Sequence, residues 1–197
     1  MKRFHGLVWA TILGVGAAQA DELACQGPFA KDSSHKRLVE AYGAANVVVE
    51  TVDGAEGVET KASVIYPKDD ARRVEVFWLD EARQARPASI QIAGTGWTGP
   101  QGIRVGMDLK GVEAANGKPF SLYGFNWDYG GTASDWKKGK LAAVPGGCSL
   151  LVVFEPDEKA SETALNRVGG DTQFSSASKG IQAVKPRVQK VSVGYPE

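Results

Sequence analysis

Apolar residues recur along this chain in two periods, one helical and one alternating. Leu38, Val39 and Tyr42 share a helical face behind Ser33 and Ser34, either of which can cap, and Gly43 stops the run. Leu109, Val112 and Ala115 do the same behind Asp108; Asn116-Gly117 supplies the left-handed stop, and Pro119 forbids continuation. Each helix precedes a series of strands. Residues 47–52 are apolar and β-branched; Ala62, Val64 and Tyr66 alternate, Pro67 to Asp70 turns, and Val74, Val76 and Trp78 alternate again, which predicts a hairpin. Residues 89–93 form a further strand. In the second half Tyr123, Phe125, Trp127 and Tyr129 alternate with Gly124, Asn126 and Asp128, so the period of two puts four rings on one strand face. Residues 136–142, 148–154 and 189–195 read as later strands, separated by the Gly130-Gly131 and Pro145-Gly146-Gly147 turns and by a polar, irregular stretch at 156–188.

The order helix-then-meander therefore occurs twice, and Val39-Glu40-Ala41 even matches Val112-Glu113-Ala114. The expected fold class is α+β: two helix-plus-antiparallel-sheet repeats forming one compact unit, residues 21–101 and 102–197. A helix on one face of each sheet leaves the other face open.

The first twenty residues change the picture of compartment. Lys2 and Arg3 lead into an apolar run from Gly6 to Ala18, and Ala18-Gln19-Ala20 is a signal-peptidase site. The run is too short to span about 30 Å of hydrocarbon. Asp21-Glu22 interrupts it before Cys25, which argues against lipidation. We expect cleavage after Ala20, a periplasmic or secreted protein, and no stable membrane insertion. The chain has 23 basic and 23 acidic residues, and loss of Lys2 and Arg3 leaves it slightly acidic. That balance offers nucleic acid and anionic lipid no attraction. The acid-free C-terminal run with Lys179, Lys185, Arg187 and Lys190 reads as a solvated strand and loop. Two cysteines in an exported chain, Cys25 and Cys148, predict one disulfide closing a long loop, worth about 4–5 kcal/mol by chain entropy. A redox or metal pair is the alternative, but no C-x-x-C is present and the mature chain has only His35.

Candidate chemistry is thin. Gly94 to Gly99 spells G-x-G-x-x-G after a strand, but Pro100 follows where a dinucleotide site needs a helix N-terminus, so no nucleotide partner is expected. S-x-x-K occurs at Ser33, Ser134 and Ser176 without the companion motifs of an acyl-enzyme site. His35 alone cannot build a triad or a zinc site, and no cofactor or metal is expected. Asp128 and Asp135 flank the Gly130-Gly131 turn among aromatic rings, the one carboxylate pair that suits a glycan cleft. The rings themselves admit two readings. They are core if the helix covers them, the commoner outcome for such a row. They are a site if they lie on the open face, since Tyr and Trp carry polar handles favoured at interfaces.

Gly106-Met107, the capped helix with Val112, the stop at Gly117, and Trp127, Tyr129 and Trp136 beyond it carry a resemblance. Residues 103–154 resemble the repeat unit of the β-lactamase-inhibitory protein and of the SmpA/OmlA outer-membrane lipoproteins. The resemblance implies a tandem of helix-plus-sheet units that binds protein through its open sheet face, without catalysis. No glycine-methionine opens the helix of the first half, one cysteine pair cannot supply a disulfide to each unit, and the lipid-anchoring cysteine is absent. The whole chain also resembles an uncharacterised exported bacterial family, which adds no function. The expectation is a non-enzymatic envelope protein that holds a protein partner on Tyr123, Phe125, Trp127 and Tyr129, with Trp78 and Trp136 as secondary contacts. The alternative is a cell-envelope glycan-binding protein, or a glycan hydrolase working through Asp128 and Asp135.

Overall fold

Local signals set the helices. In the computed structural model, which describes residues 21–54 and 58–195, helix α1 (His35–Tyr42) starts at Ser34, whose hydroxyl accepts from the Arg37 N–H at 3.3 Å. Helix α2 (Leu109–Asn116) starts at Asp108, which accepts from the Gly111 N–H at 2.8 Å, and ends at left-handed Gly117. The expected signal sequence, residues 1–20, lies outside the described residues.

The strands run in chain order as β1 (Asp21–Glu22), β2 (Val47–Asp53), β3 (Glu59–Ile65), β4 (Val74–Asp80), β5 (Ala85–Ile92) and β6 (Trp97–Thr98). After α2 come β7 (Ser121–Tyr123), β8 (Ala133–Asp135) and β9 (Ser149–Glu155). Helix α3 (Glu162–Asn166), β10 (Gln173–Ser175), helix α4 (Lys179–Ala183) and β11 (Arg187–Gly194) complete the chain. The fold is α+β. Its main sheet is antiparallel in the order β2-β3-β4-β5-β11-β9. The last strand thus lies between a strand of the first sequence half and one of the second. A smaller antiparallel sheet is ordered β10-β7-β8, and β1 pairs in parallel with β6.

One hydrophobic core joins these layers. Val74, Val76 and Trp78 of β4, Ile90 and Ile92 of β5 and Val191 and Val193 of β11 turn to the same side, where Leu38 and Val112 of the helices and Phe120 and Phe154 meet them. The Cys25–Cys148 disulfide, between residues 123 apart in sequence, ties the lead-in to the start of β9. The Tyr195 hydroxyl donates to the Phe29 carbonyl at 2.6 Å and holds the chain's end to the same lead-in.

Three strand expectations change. The aromatic run is not one strand, because β7 ends at Tyr123 and residues 124–132 form a folded loop. The rings are separated by Gly124, Asn126 and Asp128 and followed by Gly130, residue types that disfavour strands and favour turns. Asn126 takes a left-handed φ of 63°. Residues 136–142 hold a 3-10 turn (Lys140–Ala142), with the strand displaced to β8. The stretch 156–188, read as irregular, carries α3, β10 and α4.

Candidate binding site

The loop between β7 and β8 presents the aromatic residues. Its closure rests on backbone hydrogen bonds: Gly131 N–H to Gly124 O at 3.1 Å, Gly130 N–H to Trp127 O at 2.9 Å and Thr132 N–H to Tyr129 O at 3.2 Å. Gly131 permits the closure, for it has φ 71° and a side chain there would strike the Phe154 carbonyl at 2.0 Å. Phe154 N–H donates in turn to Gly131 O at 3.0 Å, which fastens the loop to β9.

Three of the expected residues come together here. The Tyr123 and Trp127 ring centroids are 5.3 Å apart at 83°, and those of Trp127 and Tyr129 are 5.4 Å apart at 65°. Both are edge-to-face geometries, in which the positive edge of one ring meets the negative face of the next. The Trp127 indole N–H donates to Gly124 O at 3.0 Å, which fixes the middle ring. Exposure rises along the row: Tyr123 and Trp127 are half-buried, and Tyr129 is 60% exposed. A cavity of about 290 Å³ lies beside Trp127, lined by Asn126, Glu155, Pro156 and Gln189 among others.

The other three residues lie apart. Phe125 is 3% exposed, and its backbone bonds Val168 and Gly170. Trp78 sits on the core side of β4, 4% exposed, with its indole N–H on the Ser63 hydroxyl at 2.9 Å. Trp136 is half-buried, its ring 5.0 Å from Phe120 and its N–H directed at the Leu150 carbonyl. Trp78 therefore offers no surface to a partner, and the secondary contact expected of it is replaced by packing, while Trp136 remains partly exposed. Period alone could not separate these cases, because a ring on an alternating strand is core or surface according to what covers that face. The lining residues Glu155, Pro156 and Gln189 escaped the sequence reading, since they reach the loop only through β9 and β11.

The two carboxylates are unlike a hydrolytic pair. Asp128 is exposed within the loop. Asp135 accepts from the Lys137 N–H at 2.7 Å and pairs with its ammonium at 2.9 Å. Those contacts hold Asp135 below the usual carboxylate range. A proton donor to a glycosidic oxygen needs the opposite shift. Among the described residues no three His, Cys, Asp or Glu side chains are grouped to hold a metal ion. No described helix is long and apolar enough to cross a membrane. Gly94, the first glycine of the G-x-G-x-x-G run, lets the chain pass against the Asp70 and Ala71 carbonyls, where a side chain would come to 2.3 Å.

No family model and no curated protein matches this chain. Among solved structures it is similar to the crystal structure of the uncharacterized protein yfeY from Escherichia coli. The TM-score is 0.45 at 8% sequence identity, over 89% of this chain and 99% of that one.

Proposed function

We propose that this is an exported, non-enzymatic interaction protein that holds a protein partner against Tyr123, Trp127 and Tyr129. The ring row carries the proposal. It is a pre-ordered aromatic ledge whose outermost member, Tyr129, is 60% exposed, and ordering it costs a partner little conformational entropy. Export follows from the signal-like pattern of residues 1–20, and a disulfide suits an oxidising compartment such as the periplasm. The likeness of residues 103–154 to β-lactamase-inhibitory-protein and SmpA/OmlA modules favours a protein as the ligand.

The test is a cross-linking pull-down from envelope extract with wild type and a Trp127→Ala/Tyr129→Ala variant of equal melting temperature. One partner should be captured by the wild type and lost by the variant. For an aromatic anchor the affinity loss should be about 30-fold, or 2 kcal/mol. Equal recovery by both proteins would refute the site.

A second reading rests on the cavity beside Trp127. Asn126, Gln189 and Glu155 surround an aromatic ring there with hydrogen-bonding groups, the composition that holds a sugar. Titrating envelope glycan fragments against tryptophan fluorescence distinguishes the two ligand classes. No hydrolytic step is proposed, because the Lys137 contacts shift Asp135 away from the raised pKa a proton donor needs.

A further inference from the structure

The two edges of the main sheet are unlike. At the β9 edge, Thr132 bridges Val153 and the Trp136 indole takes the Leu150 carbonyl. At the β2 edge, no described strand pairs beyond β2. The seven residues of β2 pair with β3 without a register shift, so no bulge twists the edge away. Five of the seven are Val or Thr, and none is Pro or Lys.

The hydrogen-bond phase shows which groups point away from β3. Tyr66 N–H donates to Asn46 O, and Gly54 N–H donates to Val58 O, each at 2.8 Å. In an antiparallel ladder, bonded pairs alternate. Val48, Glu50 and Val52 therefore aim their backbone groups at β3, while Val49, Thr51 and Asp53 aim theirs outward. All three outward residues are exposed. Each presents an N–H and a C=O, the template that an extended chain completes.

We propose that this edge joins a second copy of the same chain, β2 against β2 in antiparallel register about a two-fold axis at Thr51. The two main sheets then become one. The choice of occupant rests on self-complementarity. Centred on Thr51, the pairs are Thr51 with Thr51, Val49 with Asp53 and Glu50 with Val52. A threonine pair is favourable, and no like charges stand opposite. A centre at Glu50 would oppose two carboxylates, and a centre at Val49 would need Val47, which is 4% exposed. Arg73, shared with Glu75 at 2.9 Å, pairs with Glu50 at 3.1 Å and offsets part of the charge nearest the axis. Without Lys2 and Arg3 the chain carries 21 basic and 23 acidic residues, a net charge too small to set up strong long-range repulsion. The aromatic loops, fastened to β9 at the opposite edges, would stand at the two outer ends of the joined sheet.

Sedimentation equilibrium of the disulfide-bonded protein over a wide concentration range tests this. Wild type should be dimeric. Thr51→Pro removes an N–H that the β2–β3 ladder does not use. Two symmetric hydrogen bonds are lost per dimer, which should weaken association about ten- to hundredfold. Thr51→Lys and Thr51→Glu place like charges on the axis and should each give monomers. Mixed together, these two should dimerise again, an outcome that misfolded variants would not produce. A wild type that stays monomeric overturns the proposal, including one that instead takes up an added strand peptide. So does a dimer that all the Thr51 variants leave intact. The Trp127→Ala/Tyr129→Ala variant should dimerise like wild type, so this result stands or falls separately from the aromatic site.

Discussion

Asn116 is a buried side chain whose two N–H groups and carbonyl oxygen all bond backbone. It is 1% exposed; its amide donates to the Lys118 and Trp136 carbonyls at 3.0 Å each, and its oxygen accepts from the Leu141 N–H at 3.2 Å. Asn116→Leu should orphan all three groups and cost about 3 kcal/mol, read as a lower urea midpoint with unchanged slope. The sequence shows only the helix stop at 116–117, because Trp136 and Leu141 reach Asn116 through folding alone. His35 makes a parallel case. The Ser63 hydroxyl accepts the Trp78 N–H at 2.9 Å and is hydrogen-bonded to His35 Nδ1 at 2.8 Å. Burial pushes the imidazole below its ordinary value of 6.5. The unfolded chain then takes up a proton at a higher pH than the folded chain does. Stability should fall as pH drops through about 6.5 and level off below the lower folded value. Melting temperatures of wild type and His35→Gln should diverge over that window, with the variant lacking this part of the slope.

Among elements, α1 and α2 were the most legible, whereas the five-residue α3 and α4 were not. Caps and stops are contacts between near neighbours, so Ser34, Asp108 and Gly117 behave as their positions imply. The aromatic run was the least legible. Its alternation was real, but glycine, asparagine and aspartate between the rings let the backbone turn, and contacts with β9 and residues 168–170 gave it somewhere to turn to. The same hydrogen bonds explain how Tyr123, Trp127 and Tyr129 share a ledge without sharing a strand. The disulfide ties elements that no ladder joins. Cys25→Ser/Cys148→Ser should lower stability by about 2–5 kcal/mol, with the oxidised and reduced wild type differing likewise in denaturant titration.

Across the molecule, β11 is the organising strand. It packs between β5 and β9, so each sequence half borrows a sheet neighbour from the other. Residues 21–101 expressed alone should therefore show no cooperative melting by circular dichroism. Without β11, β5 becomes a bare edge, and Cys25 has no partner in the fragment. A sharp transition from that fragment would mean the first half carries a sufficient core of its own.

Interactions between near neighbours were written in the linear order of residues: helix caps and stops, the β3–β4 hairpin, the alternation of β4, the α+β class. So was the cysteine pairing, since two cysteines allow one bond. Strand order, the choice of buried against exposed rings, and the outer place of β2 in the described sheet were decided only by the assembled fold. Each depends on which distant segment covers a given face, and burial of apolar area rewards any such cover without regard to sequence distance.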